Sequence, residues 1–189
     1  MKSLKLTLKA WPVIAAATIG LCYLTQAVAK LFGVELPDQA NIDLVRRCAG
    51  WNWNFVLLCA QVLVLMPAIE ELIFRFLLFR MPLRLFGECE DLDIDSVAQE
   101  NRTAYIIASM VGVAATAWST AFLAIISSAL FSAAHYIAQP FPDAAFLALF
   151  FFGLAQCWLY SKTSHLWCAM LNHALFNLTN LVLLFVLPA

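Results

Sequence analysis

The chain has 189 residues, 63% of them hydrophobic and 12% charged, with a formal net charge of −1 and a mean hydropathy of +0.84. A soluble domain of this size carries about 25% charged and about 45–50% apolar residues, so the surrounding solvent must be lipid. With no basic stripe there is no sign of a nucleic-acid partner, and the six scattered cysteines (22, 48, 59, 89, 157, 168) form no CxxC pair and no disulfide framework.

Four long apolar stretches follow one another. Ala10 to Ala29 is free of charge, bounded by Lys2, Lys5 and Lys9 on one side and Lys30 on the other. This first stretch predicts an N-terminal transmembrane helix over 10–29. The Ala27-Val28-Ala29 triplet resembles a signal-peptide cleavage site, but the apolar run is longer than the usual signal core, which favours a retained helix. Residues 31–50 form a mixed-charge loop. Trp51 to Phe79 follows, interrupted only by Glu70, Glu71 and Arg75. An acidic segment, 86–103, leads into Ala104 to Pro142, which has no charge at all. Ala144 to Ala189 is split by Lys162 into two spans. A helix needs about 20 residues to cross the hydrocarbon core, and in lipid its backbone must satisfy itself. The expected architecture is therefore an all-α, polytopic helical bundle of about five spans in one domain, 1–189. The region 104–142 is long enough for two crossings. One crossing at about 122–138 is favoured, with 104–121 lying along the interface, re-entering, or extending the helix.

The lysine and arginine distribution sets the predicted orientation. With the N-terminus cytoplasmic, the inner side receives Lys2, Lys5, Lys9, Arg80, Arg84, Arg102 and Lys162, against Lys30, Arg46 and Arg47 outside.

Three polar constellations lie inside these apolar spans. Glu70, Glu71 and Arg75 come first; charges this deep are costly and usually functional. Glu71 and Arg75 are spaced i,i+4 with the acid N-terminal, the favourable order for a helical ion pair. Glu70 points about 100° away and has no partner on its own helix. A carboxylate in such a low-dielectric site suits general acid or base work; the plainer alternative is three charges that lock helices together. Phe131 and His135 come second, with Ser128, Ser132 and His135 on one face, so the imidazole can be oriented from its own helix. A lone histidine of this kind is more often a packing residue. His173 and Asn177 come third, at i,i+4 and projecting from one face, as two oxyanion donors would or as helix-bridging polar groups do. At 1.5 Å per residue, Glu70 lies about 15–21 Å from the cytoplasmic face, His135 about 20 Å and His173 about 12–16 Å. The three depths converge on one layer.

EExxxR, FxxxH and HxxxN, in this order on apolar helices, resemble the motifs of the CaaX protease and bacteriocin-processing family of intramembrane proteases, which includes the type II CaaX prenyl endopeptidases and many bacterial members. The lead-in Ser164-His165-Leu166-Trp167 also fits the family, and the resemblance spans a core of 51–185. It implies peptide-bond hydrolysis within the membrane. Glu70 with His135 would activate water, His173 and Asn177 would stabilise the oxyanion, and Glu71 and Arg75 would support the first motif. The same resemblance admits zinc, held by Glu70, His135 and His173. The metal-free form is preferred because Asn177 suits an oxyanion and is a poor zinc ligand. The implied partners are a peptide or membrane-protein substrate and the lipid bilayer, in a bacterial inner membrane. Two departures stand out: Phe76 occupies a position where many members carry glycine, and 65 residues separate Glu70 from His135. That insertion would gate the site or bind a partner. Two other classes compete: a non-catalytic immunity or adaptor protein on the same fold, and a transporter relaying protons through Glu70 and His135.

Overall fold

The computed structural model describes residues 2–34, 45, 52–83, 102–138 and 143–186, with 102–117, 138 and 143–144 as backbone alone. The acidic insertion 86–101, most of the loop 31–50, and the gating or partner role expected of the insertion lie outside these residues.

Five helices account for nearly all of the described chain, which contains no strand: α1 (Lys2–Leu31), α2 (Trp53–Leu83), α3 (Arg102–Ala138), α4 (Asp143–Thr163) and α5 (Leu166–Val186). Each carries a stretch long and apolar enough to cross a membrane, so the protein is an integral membrane protein of five spans. The region 104–121 is the leading part of α3, which runs without a break for 37 residues. Of the readings open for this stretch, the structure selects the extended helix, because a continuous helix cannot reverse to cross twice. Its apolar span is Trp118–Ile137.

Polar groups inside the spans are satisfied locally, as lipid demands. Thr7, Thr18 and Thr25 of α1 each donate to the carbonyl four residues earlier, at 2.8–3.0 Å. The α4–α5 reversal takes two residues. Ser164 adopts a left-handed φ of 57°, its N–H closes on the Tyr160 carbonyl at 2.7 Å, and α5 begins at Leu166. His173 is therefore about 10 Å down its helix from the turn.

α4 is the central helix, packed against the other four; 44% of its apolar window is buried inside the protein, against 11–22% for the other spans. Gly153 of α4 makes the α3 contact close, since a Cβ there would stand 2.8 Å from Ser128 Cβ. Two apolar layers cross the bundle. Phe79, Cys157 and Tyr160 pack with Leu83, Leu123 and Leu166 at one end. Further in, Ala15, Phe74, Phe131, Phe152 and Phe176 form the core. Lys9 of α1 lines a groove with Trp158 of α4. The amino end of α1, the carboxyl ends of α2 and α4 and the start of α5 thus share one end of the bundle.

Candidate active site

α2 positions the first constellation, and its winding is irregular. Gln61–Leu65 and Leu72–Arg80 are π-helical, a form that concentrates at functional sites, and Met66–Glu71 between them is α-helical. Glu70 and Glu71 end that α-helical piece, and both reach His173, at different ring nitrogens.

Glu71 and Arg75 are fully buried and pair at 3.2 Å between Oε2 and Nε. The pairing expected from the i,i+4 spacing is present as an ion contact without hydrogen-bond alignment. Glu71 does more than neutralise Arg75: its Oε1 lies 2.8 Å from His173 Nδ1. Arg75 Nη1 donates to Ser127 Oγ of α3 at 3.1 Å, and its guanidinium sits 4.9 Å from the centre of the Phe131 ring.

Glu70 is the meeting point. Its Oε2 is 3.5 Å from His173 Nε2 and 3.7 Å from His135 Nε2. Three residues from three helices, far apart in sequence, thus converge as the depth argument requires. Their exposure differs in a telling way. The His173 side chain is 4% exposed, that of Glu70 15% and that of His135 32%. The site opens on the side of Glu70 and His135 and is closed behind His173.

His135 is oriented from its own helix, but by backbone rather than by a serine. Its Nδ1 lies 3.0 Å from the Phe131 carbonyl one turn back, not against a serine. Ser132 instead donates to the Phe146 carbonyl of α4 at 2.7 Å, and buried Ser128 Oγ finds no hydrogen-bond partner among the described residues. The backbone wins because the i−4 carbonyl already lies below the ring. Phe131 packs against both imidazoles, with ring centres 4.4 Å from His135 and 5.9 Å from His173.

Asn177 lies one turn beyond His173, and its Nδ2 donates to the Val62 carbonyl of α2 at 2.9 Å. That carbonyl belongs to the π-wound stretch Gln61–Leu65. One amide hydrogen is thereby committed to α2, and the second is left for another acceptor. Immediately before His173, Asn172 donates to Gln156 of α4 at 3.1 Å, and Gln156 donates to the Ala169 carbonyl at 3.3 Å; both side chains are fully buried. Neither they nor Ser127 are singled out by the sequence motifs. The available signal for Ser127 was register: Ser127, Phe131 and His135 follow at i, i+4 and i+8 along one face of an apolar helix. Among the described residues, no three His, Cys, Asp or Glu side chains form a group that could hold a metal ion.

Five helices long and apolar enough to cross a membrane thus bring a glutamate and two histidines together inside the bundle, as a candidate site. The model of one protein family, Type II CAAX prenyl endopeptidase Rce1-like, matches residues 52–179. The chain belongs to this family of intramembrane CAAX-type proteases, as the three motifs had suggested, and the match takes in α2 to α4, most of α5 and every residue of the site. No curated protein and no solved structure gives a significant match.

Proposed function

We propose that the protein is an intramembrane endopeptidase in which Glu70 activates the water that attacks a peptide carbonyl. One observation carries the reading: a single carboxylate oxygen of Glu70 faces the Nε2 atoms of two histidines from different helices, at 3.5 and 3.7 Å. Water bound at Glu70 gives a proton to the carboxylate as its oxygen forms the new C–O bond. His135, whose Nδ1–H donates to the Phe131 carbonyl, keeps Nε2 as an acceptor and holds the second hydrogen of that water.

The contacts of His173 define how it takes part. Glu71 faces the Arg75 guanidinium through Oε2 and acts as an acceptor through Oε1, so the 2.8 Å contact at Nδ1 takes its proton from the imidazole. Nε2 of the neutral ring is then an acceptor, and it donates only when the ring is doubly protonated. The proton that Glu70 takes from water passes to Nε2, which becomes a charge-assisted donor as negative charge builds on the substrate oxygen. Asn177 contributes its free amide hydrogen to the same oxygen. Transfer of the proton from His173 to the leaving nitrogen, with breakage of the C–N bond, yields the carboxylic acid and the amine and restores both side chains.

The reading is metal-free. The preference rests on Asn177, an amide that suits an oxyanion and is a poor zinc ligand, and no step runs through a metal. The substrate class suggested by the family is a peptide with a prenylated CaaX end; in a bacterial inner membrane, with the N-terminus cytoplasmic, it is an unprenylated peptide or membrane protein. Purified protein in phospholipid nanodiscs is assayed with a farnesylated quenched CaaX peptide and an unprenylated quenched peptide library. Cleavage by the wild type, its loss in Glu70→Gln with folding intact, and its survival under strong chelation are the expected results. Equal cleavage by Glu70→Gln refutes the proposal, and loss on chelation with recovery on adding zinc refutes its metal-free form. An adaptor would retain its phenotype in Glu70→Gln, and a transporter would give uptake in proteoliposomes without cleavage.

A further inference from the structure

We propose that Ser127 is a positioning residue for His173, acting through Arg75 and Glu71; this rests on the role given to His173 above. Ser127 is fully buried on α3. Its hydroxyl donates to the Phe74 carbonyl and accepts from Arg75 Nη1 at 3.1 Å. Both partners lie in the π-wound stretch Leu72–Arg80 of α2, so one serine ties the backbone and the side chain of adjacent α2 residues to α3.

The guanidinium has little else to fix its angle. Among the described residues, Arg75 Nε and Nη2 make no aligned hydrogen bond. The Glu71 contact is Coulombic, and the Phe131 contact is a ring face, neither strongly directional. The aligned bond to Ser127 therefore sets the guanidinium orientation. The guanidinium sets the Glu71 carboxylate, and Glu71 Oε1 takes His173 Nδ1 at 2.8 Å. The far nitrogen of that ring is the one aimed at Glu70, 3.5 Å away. Ser127, Arg75, Glu71 and His173 form one polar chain from α3 through α2 to α5, ending at the reacting groups.

Ser132 is a built-in control. It sits on the same helix, is equally buried, and also donates to a backbone carbonyl of a neighbouring helix, Phe146 at 2.7 Å. Among the described residues it has no hydrogen bond to a charged group. A structural role common to both serines would give both alanine variants the same phenotype.

The test reads His173 directly. Protein labelled with 15N-histidine in phospholipid nanodiscs reports the tautomer of each ring, with His173 assigned through His173→Gln. The expected result is a single Nδ1-protonated form in the wild type and in Ser132→Ala, and a tautomer mixture in Ser127→Ala. Ser127→Thr, which keeps the hydroxyl, restores the single form. Ser127→Cys, which keeps the volume and weakens both bonds, replaces the alanine variant if that fails to fold. In the peptide assay Ser127→Ala lowers kcat by about 10- to 100-fold with KM unchanged, and loses much less when introduced into Arg75→Lys. An unchanged His173 spectrum in Ser127→Ala, or equal losses in the two backgrounds, overturns the inference. The spectrum needs no substrate, so this failure is separate from failure of the proposed hydrolysis, which Glu70→Gln reports.

Discussion

Gly153→Ala tests how tightly the site depends on helix spacing. The added carbon would stand 2.8 Å from Ser128 Cβ and 3.0 Å from Ser128 Cα and Oγ. Carbon atoms rest at about 3.5–4.0 Å, and a Cα cannot rotate away, so α3 and α4 must part by about 0.5–1 Å. Overpacking of this kind costs about 1–3 kcal/mol. In a chain of this length each kcal/mol lowers the thermal midpoint by about 2–4 °C. Ser128 and His135 lie two turns apart on one face of α3, so the displacement reaches the 3.7 Å contact between His135 and Glu70. Misplacement of reacting groups by about 1 Å costs as much as 10²-fold in rate. The assay pairs a thermal melt in nanodiscs with peptide cleavage per folded molecule. Gly20→Ala is the matched control: nothing lies within 4 Å of its added carbon, and helix propensity there improves by about 0.8–1 kcal/mol. Removing the opposing Cβ in Ser128→Gly/Gly153→Ala should recover part of the activity. If Gly153→Ala melts and cleaves like the wild type, close α3–α4 contact does not set the site geometry.

Two further substitutions separate stability from chemistry. Asn177→Ala removes the proposed oxyanion donor and the partner of the Val62 carbonyl; kcat should fall by about 10²–10³-fold in steady-state cleavage, and an unchanged kcat removes Asn177 from the proposed mechanism. Glu71→Gln strands the buried Arg75 charge and should cost about 3–5 kcal/mol, seen as a large drop in thermal midpoint. Glu71→Gln/Arg75→Met should regain the stability but not the cleavage, because His173 still lacks its carboxylate; recovery of both would reduce Glu71 to a counter-ion.

The sequence by itself determined the lipid environment, the five spans, the shared depth of Glu70, His135 and His173, and the i,i+4 geometry of Glu71 with Arg75. Each is a local property: hydropathy over about 20 residues decides a crossing, and a rise of about 1.5 Å per residue converts sequence position into depth. The path of 104–121 stayed open because an apolar run without charges is compatible with a surface, a re-entrant or an extended helix. The unbroken helix Arg102–Ala138 decides for the extended one.

Tertiary structure decided how the polar groups are shared. Glu71 serves both Arg75 and His173, Asn177 leans on the Val62 carbonyl, Ser132 bonds to Phe146, and His135 takes its orientation from Phe131. Most of these partners are backbone carbonyls. Every residue carries one, so nothing in the side-chain pattern marks which will be used. The choice depends on helix rotation and on the π-wound stretches of α2, which are set when the helices pack. Motif spacing could bring Glu70, His135 and His173 to one depth, but only the folded bundle could aim two imidazole nitrogens at the same carboxylate oxygen.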